Sequence, residues 1–146
     1  MTGPATWSAP EARIEMEFLE RLPDHLPTPG DVRLRVTLRS ERGEAATYDG
    51  IWIDRPDLEA LVVELEEWLA TAEGSPRIDA MSPDELELEL VTGRAGAAAE
   101  LRVRLGRAGE SGVLTEPVDF EVRVGLSGAE VAGLHAFFAV LLNARG

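Results

Sequence analysis

The residues able to move protons or hold a metal ion are two histidines, His25 and His135, and a large set of carboxylates. His25 sits beside Asp24 in a proline-rich stretch, and such a pair could bind a metal or pass a proton. One His next to one Asp lacks the further ligands a site needs, so His25 reads as a surface loop residue. His135 falls between Leu134 and Ala136 on a helical pattern and reads as a half-buried structural side chain. General acid-base work requires a carboxyl with a raised pKa inside a pocket, whereas the acids here occupy alternate strand positions or one face of a helix. They read as solvated. Neither Asp79 to Glu85 nor Asp49 to Asp57 spaces its acids as a calcium loop does around its glycine. Ser111, in Gly109-Glu110-Ser111-Gly112, lacks the Gly-x-Ser-x-Gly spacing of a nucleophile elbow. No glycine run matches a P-loop or dinucleotide fingerprint. No catalytic, cofactor-binding or metal-binding residue is therefore assigned, and the chain is not expected to be an enzyme.

The remaining candidates are residues that could meet another protein. Between Pro56 and Glu73 there are six acids, Asp57, Glu59, Glu64, Glu66, Glu67 and Glu73, and no base. That is more one-sided than a solvated helix face requires, and it suits docking of a basic partner. Trp68 lies on the apolar stripe of the same helix and reads as core. Trp52, between Ile51 and Ile53, can face either side of a strand, and tryptophan is a frequent interface anchor. Near the C-terminus, Phe137 and Val140 make an apolar stripe wider than one packing face needs. The candidate partner-binding set is Asp57, Glu59, Glu64, Glu66, Glu67, Trp52, Phe137 and Val140.

Composition narrows what that partner can be. The net charge is -13, and all 14 basic residues are arginine, a skew that fits a GC-rich genome. Phosphate backbones and anionic lipid both require a cationic footprint, so neither nucleic acid nor a membrane surface is an expected partner. A basic protein would be steered in. Cysteine is absent, which removes disulfides, thiolate metal sites and thiol nucleophiles and fits a reducing compartment. No apolar run approaches the roughly 18 residues of a membrane span. Met1 to Pro10 has neither a basic region nor an apolar core of signal-peptide type, so a cytoplasmic location is expected. At 146 residues the chain is long enough to bury a core unaided.

The elements that must position these residues follow from periodicity. From Arg13 to Leu22, Ile14, Met16 and Phe18 alternate with Glu15, Glu17 and Glu20, the period-2 signature of a half-buried strand. Pro23, Pro27, Pro29 and Gly30 interrupt it. Val32, Leu34, Val36 and Leu38 then alternate with Arg33, Arg35, Thr37 and Arg39, and Ala46 to Ile53 forms a third strand with a bulge at Asp49-Gly50. A helix starts at Asp54 or Arg55, since Pro56 suits its first turn. Leu58, Leu61, Val62, Leu65, Trp68 and Leu69 give it one buried stripe, and Gly74 stops it. Ser75 to Pro83 reads as a connection.

The second half repeats that order. Leu86, Leu88 and Leu90 alternate with Glu85, Glu87 and Glu89, Leu101, Val103 and Leu105 with Arg102 and Arg104, and Val118 to Val124 with Asp119, Glu121 and Arg123. Ser127 to Glu130 forms a capping box, opening a helix whose Val131, Leu134, Phe138, Leu141 and Leu142 face the core. Leu34-Arg35-Val36 recurs as Leu101-Arg102-Val103 on the central strand of each trio. Acidic strands alternate with basic ones, which favours antiparallel meander order through cross-strand pairs of roughly 0.2–1 kcal/mol each. The expected fold is α+β: a largely antiparallel sheet of about six strands in two strand-strand-strand-helix halves, with both helices packed on one face. Residues 1–11 are expected to be a flexible lead-in and 12–146 one domain, with halves at about 12–74 and 84–146.

The strand order, the Asp57-Leu58-Glu59-Ala60-Leu61 helix opening with its Trp68-Leu69 ending, the Glu85 to Leu90 strand and the short capped C-terminal helix together resemble small bacterial proteins of the WapI immunity type and related uncharacterised families. The resemblance covers about residues 12–143. It implies a non-enzymatic antidote that binds a toxin domain made by the same cell. It brings no contact residue with it. The alternative expectation is a structural or dimerisation domain, a homodimer closing over the wide apolar stripe at Phe137 and Val140.

Overall fold

In the computed structural model, residues 5–22, 30–80, 85–93, 96–106 and 119–143 are described. His25 with Asp24, Ser111 with its glycine-rich loop, and Val118 lie outside them. The architecture is α+β, with two antiparallel sheets of four strands rather than one sheet of about six. The first sheet runs in the order β1 (Thr6–Ser8), β2 (Ile14–Arg21), β3 (Val32–Arg39) and β4 (Ala45–Ile53), and α1 (Arg55–Thr71) follows. The second runs β5 (Arg77–Asp79), β6 (Leu86–Thr92), β7 (Ala99–Gly106) and β8 (Asp119–Leu126), and α2 (Gly128–Asn143) follows.

The two additional strands lie where a lead-in and a connection were expected. Thr6–Ser8 pairs with Glu15–Glu17, and Arg77–Asp79 pairs with Glu87–Glu89. Trp7 and Ile78 thereby drop onto the inner faces of their sheets, opposite Met16 and Leu88, and both are buried. A three-residue strand is held by such pairing and burial rather than by its own propensity.

The halves agree in register as well as in order. Phe18 faces Leu34 as Leu90 faces Leu101, and Met16 faces Val36 as Leu88 faces Val103. The repeated Leu-Arg-Val string thus occupies the same place in both sheets. Two bulges keep the alternation in phase. In β2, Leu19 is the extra residue between Phe18 and Glu20, which returns Glu20 to the outer face opposite Arg33. In β4, Asp49-Gly50 is looped out between the pairs Val36–Tyr48 and Leu34–Ile51, at the expected bulge.

On the outer faces, opposite charges meet as their alternation predicts. Arg35 bonds Glu17 at 2.6 Å, Arg33 bonds Glu20 at 2.8 Å and Arg39 bonds Glu15 at 2.9 Å. Arg104 pairs with Glu87 in the second sheet. One mismatch is Arg102, which directly faces Arg123 and turns to Glu100 on its own strand.

One continuous buried cluster draws on both sheets and both helices. The helices contact each other, and each lies against the first strand of the other half's sheet: α1 on β5 and α2 on β1. Polar ties reinforce the arrangement. Tyr48 Oη donates to Glu85 Oε2 at 2.9 Å, and Arg13 Nη1 donates to the Arg123 carbonyl at 3.4 Å, linking one half to the other.

Candidate functional site: the acidic and apolar helical layer

Both helices start at side-chain caps. The Asp54 carboxylate accepts from the Asp57 amide at 3.0 Å. In α2 the expected box closes, with Glu130 N donating to Ser127 Oγ at 3.1 Å and Ser127 N to Glu130 Oε1 at 2.8 Å. At the far end of α1, Ala72 adopts the left-handed conformation that ends the helix, two residues before Gly74. The α1 N-terminus is also tied to the sheet. Asp31, only 2% exposed, accepts from the Arg55 amide at 3.0 Å.

Leu58, Leu61, Val62, Leu65 and Trp68 form the buried stripe of α1, so the acids between them are turned outward. Glu59 is paired with Arg55 at 3.4 Å, one turn before it. Glu64 Oε1 accepts from the Arg77 amide at 3.2 Å, reaching the edge of the second sheet. Glu66 Oε2 lies 3.1 Å from His135 Nε2 on α2. Glu67 is exposed with no side-chain partner among the described residues, and it lines a shallow hollow of about 250 Å³ with Glu64, Glu73, Gly74, Ser75 and Pro76. Asp57 is exposed, and partial desolvation, followed by the nearby Asp54 charge, raises its pKa above the ordinary aspartate range. Within the described residues, no group of three or more His, Asp or Glu is placed to hold a metal ion.

The other candidates separate. Trp52 is half-buried on the outer face of the first sheet, opposite Arg33, while Ile51 and Ile53 fill the core. It is not brought together with the α1 acids. Val140 is 55% exposed, as its place beyond the stripe implies. Phe137 is a correction: it is 5% exposed and packs edge-on against Phe138, with ring centroids 5.1 Å apart. The reason is positional. Leu58, Leu61, Leu65 and Trp68 of α1 are matched in spacing by Val131, Leu134, Phe138 and Leu141 of α2, all buried. This match puts Phe137 where α1 has Glu64, the position turned toward the other half's first strand. An apolar ring there is covered.

Two exposed apolar residues lay outside the candidate set. Val63 is 52% exposed, and Leu69, expected in the buried stripe, is 39% exposed. At about 100° per residue Val63 lies roughly 200° from both Leu61 and Leu65, which puts it on the face opposite the stripe. That signal was present in the sequence. Leu69 lies in the last turn of α1, at the fringe of the stripe. Val63, Leu69 and Val140 are the large hydrophobic side chains exposed among the described residues, and all three are on the two helices.

No protein-family model matches this chain, and no curated protein matches it. A solved structure does. The plant transcriptional regulator PBF-2 is similar to it with a TM-score of 0.54 at 10% identity, over 97% of this chain and 89% of that one. A likeness at that identity shows the fold alone. No helix among the described residues is long and apolar enough to cross a membrane.

Proposed function

We propose that this chain is a non-enzymatic protein-binding domain that engages a basic partner, in its specific form an immunity protein that neutralises a toxin domain. The observation that carries the reading is the solvent side of α1, where five acids, Asp57, Glu59, Glu64, Glu66 and Glu67, stand around the exposed Val63, with Glu73 just beyond the helix and no base from Pro56 to Glu73. A net charge of -13 adds a long-range field that steers a cationic partner inward. The immunity form is supported by the resemblance of residues 12–143 to the WapI immunity type.

The test is calorimetric titration of the purified chain with the toxin domains encoded beside its gene, at low and at high salt. The expected result is a stoichiometric complex with one of them, weakened by salt as screening shortens the reach of the acidic field. If none of those domains binds at low salt, the immunity reading fails.

A further inference from the structure

We infer that the helical layer is the docking site for a basic amphipathic helix of the partner protein, its apolar ridge on Val63 and Val140 and its cationic flank along Glu59, Glu66 and Glu67. This deepens the reading above and rests on it.

Three observations carry the inference. The large hydrophobics exposed among the described residues are all on α1 and α2, whereas the outer faces of both sheets carry paired charges. Second, α1 presents an outward row at alternating spacings of four and three, Pro56, Ala60, Val63, Glu67 and Ala70, and α2 presents Ala129, Ala136 and Val140 on its outer side, all exposed. That spacing is the seam along which another helix packs, and small residues let its backbone come close. Third, charge chooses the occupant. The α1 row is bordered by several carboxylates, while α2 carries one, Glu130, whose carboxylate is engaged by the Ser127 amide at the helix start, so a complementary helix is cationic on one flank and apolar beneath.

A second copy of this chain does not fit that description. Arg55 is the single arginine on either helix, so a second copy offers no cationic flank, and self-pairing across α1 would set carboxylates against carboxylates. The acids on the layer are also available. Glu59 and Glu66 are 52% and 58% exposed in their pairs with Arg55 and His135, and such exposed pairs exchange readily for a better partner.

The test uses the full chain and two fluorescent synthetic peptides of identical composition. One carries leucine at every a and d heptad position and arginine elsewhere; the other is its scramble. The helix is expected to bind about tenfold more tightly than the scramble by anisotropy, a difference of about 1.4 kcal/mol. E59Q/E66Q/E67Q should weaken its binding about tenfold, and V63Q/V140Q should abolish the preference over the scramble. E11Q/E41Q/E44Q removes the same charge from exposed residues off the helices and should change affinity less than about twofold, since distant charges are screened. All substituted side chains are solvent-facing, and unchanged circular dichroism checks that the variants fold. Equal binding of helix and scramble, or no binding, overturns the inference. So does equal weakening by the off-helix triple, an outcome that leaves the basic-partner reading standing with its contact elsewhere. That reading fails separately if no basic protein domain binds.

Discussion

Glu66 of α1 and His135 of α2 meet across the helical layer, with Oε2 3.1 Å from Nε2. The contact joins the acidic helix to the apolar one on the solvent side of the core. Because Glu66 is 58% exposed, the tie contributes no more than about 1 kcal/mol. His135→Ala should therefore lower the unfolding free energy by less than about 1 kcal/mol and leave basic-peptide binding within about twofold. Chemical denaturation and anisotropy check the two halves of this prediction. A loss of several kcal/mol would mean that His135 is part of the core.

Trp7 tests the first strand. Its ring is 9% exposed, on the inner face opposite Met16 and beside Gly133 of α2, where an added Cβ would lie 3.7 Å from the indole Nε1. Trp7→Ala should cost about 3–5 kcal/mol, read as a lower urea midpoint at unchanged slope. A loose lead-in would give no shift.

Asp57 carries a pH signature of small size. Its pKa in the folded chain is raised from the ordinary 3.8, by desolvation first and by Asp54 second. A raised folded pKa means that the native state holds the proton more tightly. The associated stability is fully present below the unfolded value and is lost as pH rises through the folded one. A carboxyl-carbon shift titration should place the Asp57 midpoint above 3.8, and Asp54→Asn should move it down. A midpoint at or below the ordinary value would contradict the electrostatic picture of the α1 N-terminus.

Much of this fold was legible because alternation and helical spacing are strong signals over seven or more residues. Ile14 to Phe18, Val32 to Leu38 and Leu86 to Leu90 reveal their inner faces directly, and the Asp49-Gly50 bulge and the Ser127–Glu130 box were written in local chemistry. Thr6–Ser8 and Arg77–Asp79 were not legible, since three residues show hardly one period and become strands only by pairing with β2 and β6. The division into two sheets was hidden for a related reason. Alternation tells which side of a strand is buried, and carries no information on which strands share a sheet. At the candidate site the acids of α1 were readable from the absence of any base among them. Phe137 was misread because the buried face of α2 extends to the position Glu64 holds in α1, where Phe137 packs edge-on against Phe138. Val63 went unnoticed although it stands two residues from both Leu61 and Leu65, on the opposite face of the helix.

The central claim is that the helical layer is where a basic partner sits, and the most direct measurement is the amide chemical-shift map of the isotope-labelled full chain titrated with the arginine-leucine helix. The claim predicts that the largest shifts fall in residues 55–71 and 128–143, centred on Val63, Glu66, Glu67 and Val140. Shifts concentrated on the outer faces of the sheets, around Glu15 and Arg35 or Glu87 and Arg104, would contradict it.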